Sequence, residues 1–131
     1  INQPRRPRSQ TRSQIRLDDG TGVDLDAADP RAVEATGPNG DIDLHFDTGL
    51  AANRSAMYYF SGTENEAKAG CSKTVANDTP APGGATAVSA GGQFCIRTSD
   101  GRIGWISCND AEYNSSRTGY IVLNYRLFDQ E

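Results

Sequence analysis

The stretch Gln93-Phe94-Cys95-Ile96-Arg97-Thr98-Ser99-Asp100-Gly101-Arg102-Ile103-Gly104-Trp105-Ile106-Ser107-Cys108 decides the fold class. Two runs rich in aromatic and β-branched residues flank Asp100-Gly101, a pair suited to a tight hairpin turn because glycine reaches positive φ without a Cβ clash. A two-residue turn sets Ile96 opposite Trp105 and Thr98 opposite Ile103. A three-residue turn with a glycine bulge shifts that register, and the residues alone allow either.

The segments on both sides repeat the pattern. Gly119 to Phe128 places Ile121, Leu123, Tyr125 and Leu127 on one face, which predicts the longest strand, central in a sheet. Upstream, Gln14 to Leu17 is a short extended run, and Val23 and Leu25 alternate with Asp24 and Asp26. Ile42, Leu44 and Phe46 alternate with Asp41, Asp43, His45 and Asp47, and the acidic side reads as a solvated outer face. Ser55 to Ser61 reads as an aromatic-rich strand. Asp29-Pro30 predicts one helical turn through Arg31-Ala32-Val33-Glu34, because Asp caps well and Pro suits the first helical position. Residues 62–85 and 109–118 are polar and turn-rich, and read as loops. Strands at intervals of about ten residues, with no amphipathic helix of length, predict an all-β fold. Its expected form is a two-sheet antiparallel β-sandwich, jelly-roll-like, with one internal disulfide.

The chain has 131 residues, enough for one domain. Its net charge of -4 averages two unlike parts. Arg5, Arg6, Arg8, Arg12 and Arg16 face no acid within the first sixteen residues, while the rest carries all seventeen acids against eight bases. So acidic a body repels phosphate backbones, which argues against a nucleic-acid partner for the folded part. Residues 1–14 are nearly free of apolar side chains and read as a basic disordered arm or linker, leaving 15–131 as the sandwich domain. No run approaches the roughly 18 apolar residues of a membrane span, although the arm could tether the domain through its N-terminal side. Because the sequence starts at Ile1 with no apolar signal region, it reads as a mature or excised fragment.

Three cysteines in a lean domain fit an oxidising compartment, and an odd count permits at most one internal bridge. A Cys71–Cys95 bridge would close about 25 residues, contribute about 3 kcal/mol and pin the 62–85 excursion to the hairpin. Cys95–Cys108 would join neighbouring strands of one hairpin, where Cβ geometry fits poorly, and Cys71–Cys108 is the third possibility. Cys108 then reads as a buried structural thiol.

The segment Phe94-Cys95-Ile96-Arg97-Thr98-Ser99-Asp100-Gly101-Arg102-Ile103 resembles the (L/F)-C-V-R-T-S/T-E/D-G-R-I hairpin of a group of actinobacterial secreted or extracytoplasmic domains. These are small β-sandwich modules that follow linkers in membrane-anchored proteins, some with an intracellular Ser/Thr kinase. Gly22-Val23-Asp24-Leu25-Asp26, Asp41-Ile42-Asp43-Leu44 and Gly70-Cys71 resemble earlier segments of the same group. The resemblance implies an all-β fold, a Cys71–Cys95 bridge and a location outside the cytoplasm, and carries over no catalytic residue. Cys108 departs from the pattern.

Chemistry-bearing residues are few. With His45 as the lone imidazole and no G-x-S-x-G segment, a nucleophilic triad has no support. Asp18, Asp19, Asp24 and Asp26 around Gly20 and Gly22 could wrap a calcium ion, though without EF-hand spacing; no other cofactor is implied. Tyr58, Trp105, Tyr113 and Tyr120 could form an aromatic patch that stacks on a sugar or peptide, but the reading favoured over it has Trp105 anchoring the core with the tyrosine hydroxyls at its rim. The expected function is therefore a non-catalytic extracytoplasmic module that binds or senses a protein, peptide or glycan, or spaces another domain. The alternatives are a small secreted hydrolase with carboxylates near Asp24, Asp43 and Asp47, and a secreted inhibitor or interaction domain.

Overall fold

The computed structural model describes residues 12–34, 42–47, 49–52, 55–77, 88–112 and 118–128. Among these residues, nine strands form two antiparallel sheets, confirming the two-sheet sandwich. The first sheet contains β1 (Ser13–Asp18), β9 (Tyr120–Phe128), β8 (Ile103–Glu112), β7 (Gln93–Arg97) and β6 (Ala56–Tyr59), in that spatial order. The second contains β3 (Val33–Glu34), β2 (Thr21–Val23), β4 (Leu44–Phe46) and β5 (Leu50–Ala52), again in spatial order. Strands β6 to β9 thus form a meander, and β1 completes the sheet by pairing with β9, Ser13 opposite Tyr125.

The chain moves from one sheet to the other at Asp18–Thr21. There Gly20 adopts φ +88°, and its N–H donates to the Phe46 carbonyl at 2.7 Å. The alternation read from the sequence supplies the core between the sheets. Leu17, Val23, Leu25, Leu44, Phe46 and Leu50 meet Ile96, Ile106, Ile121 and Leu123, all at most 1% exposed. Fully burying each such aliphatic side chain is worth about 1.5–3 kcal/mol.

The hairpin adopts the three-residue form. The Gly101 N–H donates to the Thr98 carbonyl at 2.9 Å, Gly101 takes φ +88°, and Cys95 stands opposite Trp105 and Ile96 opposite Gly104. A Cβ on Gly104 would lie 2.5 Å from the Arg126 carbonyl oxygen, so this close approach of β8 to β9 requires glycine.

Several expectations need correction. The stretch read as a loop over 62–85 contains a 3-10 turn (Glu64–Glu66) followed by the helix α1 (Ala67–Asn77). Its start is signalled by Thr63-x-x-Glu66, where the Glu66 carboxylate accepts from the Thr63 N–H at 2.9 Å and is held below its ordinary pKa by that bond. Ala67, Cys71 and Val75, spaced four apart, face the outer side of the first sheet. They pack with Ala56, Tyr58, Cys95, Trp105 and Phe128 in a second, smaller core. The helical turn expected after Asp29-Pro30 is replaced by β3, because Val33 and Glu34 pair with Gly22 and Thr21 and satisfy backbone groups that a lone turn would leave open. β8 extends to Glu112, into the expected loop at 109–118, by means of an irregularity between Cys108 and Asp110. That makes β8, with ten residues, longer than the nine-residue β9. The extended run expected over Gln14 to Leu17 is β1, one residue longer at each end; residues 1–11 lie outside the described residues.

Cys71 and Cys95 form the disulfide, fixing α1 to β7. Replacing both with serine is expected to lower unfolding free energy by about 2–4 kcal/mol, measured by urea denaturation, while near-UV signals from the inter-sheet core persist at low denaturant.

Candidate functional site

Two features lie close together at one end of the sandwich: a knot of carboxylates and a cavity. The knot forms where the β7–β8 turn of the first sheet reaches the segment after β2. Asp43 stands just before β4 and is fully buried. One of its carboxylate oxygens accepts from the Leu25 N–H and the other from the Ser99 N–H, both at 2.8 Å. Asp26 accepts from the Thr98 hydroxyl at 2.8 Å and the Asp100 N–H at 3.1 Å, with the Arg102 guanidinium 3.7 Å away. Asp24 accepts from the Asp26 N–H at 2.9 Å. Carboxylate oxygens of Asp24, Asp26 and Asp43 all lie within 4.8 Å of one another.

This overturns the reading of Asp43 as part of a solvated face. The alternation along β4 begins only at Leu44, and the β7–β8 turn covers the residue before it. The residues read as a calcium set divide between two places. Asp24 and Asp26 join Asp43, whereas Asp18 is exposed at the end of β1 and pairs with Arg16 at 3.0 Å; among the described residues, neither Asp18 nor Asp19 joins the cluster. Both oxygens of Asp43 and of Asp26 already accept N–H or O–H donors, so the knot reads as a link between sheets. Asp47 of the expected hydrolase set does not join the group.

Burial raises the Asp43 pKa to about 6; hydrogen bonds from Ser99 and Leu25 oppose the rise, and the Asp26 charge adds to it. A carboxyl group whose pKa is higher folded than unfolded stabilises the fold most below its unfolded value, near 3.8, and loses that contribution as pH rises through about 6.

The cavity, of about 350 Å³, opens beside the knot. Leu25, Tyr125 and Leu127 give it apolar walls; Ser13, Gln14, Asp29 and Arg102 supply polar groups, with Ala27, Ala28 and Pro30 completing the lining. Burial pushes the Tyr125 phenol above its ordinary pKa, while a hydrogen bond with the Ser13 side chain acts the other way. Asp24, Asp26 and Asp43 do not line the cavity.

Of the candidate aromatic residues, Trp105 takes the core-anchor role that the sequence also allowed. Tyr58 and Trp105 are buried beneath α1, because their strand positions face the helix; the Trp105 Nε1–H donates to the Gln93 Oε1 at 2.8 Å. Tyr120 is half-buried, with its hydroxyl donating to Asp110 at 2.9 Å and the Arg16 guanidinium 4.1 Å over its ring. Tyr113 lies outside the described residues. The sequence reading counted Tyr125 as a strand residue and missed its place in the cavity, which depends on a loop distant in sequence. Cys108 is buried, as expected for a structural thiol; burial raises its pKa, and its Sγ donates to the Asp110 carbonyl at 3.4 Å.

The stability difference between wild type and Asp43→Asn is expected to shrink by about 1–3 kcal/mol between about pH 4 and about pH 7, measured by urea unfolding across that range. No protein-family model matches this chain, and neither the curated proteins nor the solved structures hold a match to it.

Proposed function

We propose that the chain is a non-catalytic binding module working outside the cytoplasm, and that its site is the cavity between residues 25–30 and β9. The observation that carries this reading is that the Asp24, Asp26 and Asp43 knot stands outside the cavity lining. The cavity joins apolar walls to a few polar groups and falls within the roughly 300–1,000 Å³ of small-ligand sites. Asp43 and its neighbour Asp26 are instead committed to N–H and O–H donors of the β7–β8 turn and of Leu25.

A short peptide or glycan segment suits the cavity: Leu25 and Leu127 offer apolar contact, the Tyr125 ring a stacking face, and Arg102, Asp29 and Gln14 hydrogen-bonding groups. The extracytoplasmic location draws support from the Cys71–Cys95 disulfide, since such bonds persist in oxidising compartments. The resemblance of residues 94–103 to actinobacterial extracytoplasmic modules points the same way, with the basic arm read over residues 1–14 as linker to a membrane-anchored or neighbouring part. Among the described residues, no helix is long and apolar enough to cross a membrane.

A second reading, a small hydrolase, draws on one observation: Asp43 holds a raised pKa beside Asp26, as an acid paired with an ionised neighbour would. Titrating tri- and tetrapeptides and short oligosaccharides into the ¹⁵N-labelled protein separates the two. Binding is expected to shift amides of Leu25 to Ala28, Arg102 and Tyr125 to Leu127 with no turnover, and Ala28→Trp, which fills the cavity from an exposed position, abolishes those shifts. Hydrolysis lost in Asp43→Asn, or shifts confined to another face, overturns the proposal.

A further inference from the structure

We propose that the cavity holds a compact zwitterion with an apolar side chain, a free amino acid or a dipeptide, its carboxylate on Arg102 and its ammonium on Asp29. The inference rests on reading the cavity as the binding site and names the ligand class of that site. Arg102 lines the cavity, and 25% of its side chain is exposed. Its backbone is spent in the β7–β8 turn, where its N–H donates to the Thr98 hydroxyl at 3.1 Å and its carbonyl accepts from the Thr98 N–H at 2.8 Å. Its guanidinium makes no hydrogen bond to the described residues. The Asp26 Oδ1 stands 3.7 Å from its Nη1, and both Asp26 oxygens already accept from Thr98, Ser99 or Asp100. The N–H donors of a largely buried, planar fork are thus left to face whatever fills the cavity, and a carboxylate matches that fork with paired bonds.

The same lining offers acceptors. Asp29 is exposed and meets Arg31 at its Oδ2, 2.8 Å away, which leaves Oδ1 for a ligand. Gln14 gives an Nε2–H to Asn124 at 2.9 Å, and its Oε1 remains an acceptor. Burial raises the Tyr125 phenol against a bond with Ser13, and the Asp29 charge adds to that rise, which sets Asp29 within electrostatic reach of the ring. Leu25, Leu127 and the Tyr125 ring take the apolar side chain. Charge selects the zwitterion. Asp24, Asp43 and Asp100 gather around Asp26, beside Arg102, so a lone anion is repelled. A lone cation meets the Arg102 charge and leaves its donors unmet. A ligand carrying both charges satisfies Arg102 and Asp29 together and brings no net charge to an acidic body.

Titrating the ¹⁵N-labelled intact chain with leucine, with leucyl-leucine and with their blocked forms tests this. The free ligands are expected to shift the amides of Leu25, Ala27, Arg102 and Tyr125, and the tighter of the two identifies the source that the cavity takes. Amidating the carboxylate is expected to weaken binding about tenfold or more, and acetylating the amine about threefold, because Arg102 is largely buried and Asp29 is screened by water. Arg102→Gln removes the penalty for amidation and Asp29→Asn the penalty for acetylation, each leaving the other in place. Should Arg102→Gln fail to fold, the blocked ligands on wild type and Asp29→Asn, at an exposed position, decide the matter. Equal affinity of free and blocked ligands, or a penalty that survives its matching variant, overturns the inference. If longer peptides or oligosaccharides shift the same amides while blocking costs nothing, the binding reading stands and the zwitterion falls; if no ligand shifts them, both fall.

Discussion

The Asp43 carboxylate sits between the two sheets and accepts one N–H from each side, Leu25 after β2 and Ser99 at the tip of the β7–β8 hairpin. Two hydrophobic sheets can slide on one another, since apolar contact has little direction. A buried acceptor with two fixed donors has direction, and leaving either donor unmet in the interior costs about 1–3 kcal/mol. The hairpin tip is therefore held in one register against the second sheet. Asp26 repeats the device one step outward, through Thr98 and Asp100. The cavity exists because this end of the sandwich is fastened at the knot, while the segment carrying Ala27 to Pro30 stands off from β9.

The first sheet bears a different load on each face. Its inner face meets the second sheet through Ile96, Ile106, Ile121 and Leu123; its outer face carries α1 on Tyr58, Trp105 and Phe128. Strand alternation lets one sequence serve both, as in Phe94-Cys95-Ile96, where Cys95 points to the helix and its neighbours to the sandwich core. The disulfide belongs to the outer layer and the carboxylate knot to the inner one.

The parts legible in the sequence are those written in local periodicity. β9, the hairpin and the Leu44–Phe46 alternation could be read because a period of two, sustained along a run, fits a half-buried strand and little else. The Cys71–Cys95 bridge, one of three pairings the residues allowed, was the one the resemblance implied. α1 was missed because its buried stripe is Ala67, Cys71 and Val75, too little apolar contrast to stand out beside Lys68, Lys73 and Asn77, although Thr63-x-x-Glu66 marks its start. Asp43 was misplaced because the β7–β8 turn that buries it lies 56 residues further along the chain. Tyr58 and Trp105 were candidates for exposure only while the helix that covers them was unknown. The candidate site is almost wholly of this second kind: its residues come from β1, the segment after β2, the β7–β8 turn and β9.

The pairing of β1 with β9 bears on how the chain is made. Ser13 to Asp18 align with Tyr125 back to Tyr120, so β1 waits for β9 to be synthesised. Until residues 120–128 are free, β1 has no partner in its sheet and β8 has one open side. Both are then bare strand edges, the form in which chains pair with their neighbours instead of themselves. A chain broken off just before β9 would thus lose two pairings at once, and its residual hairpin would be a template for aggregation rather than a smaller folded domain.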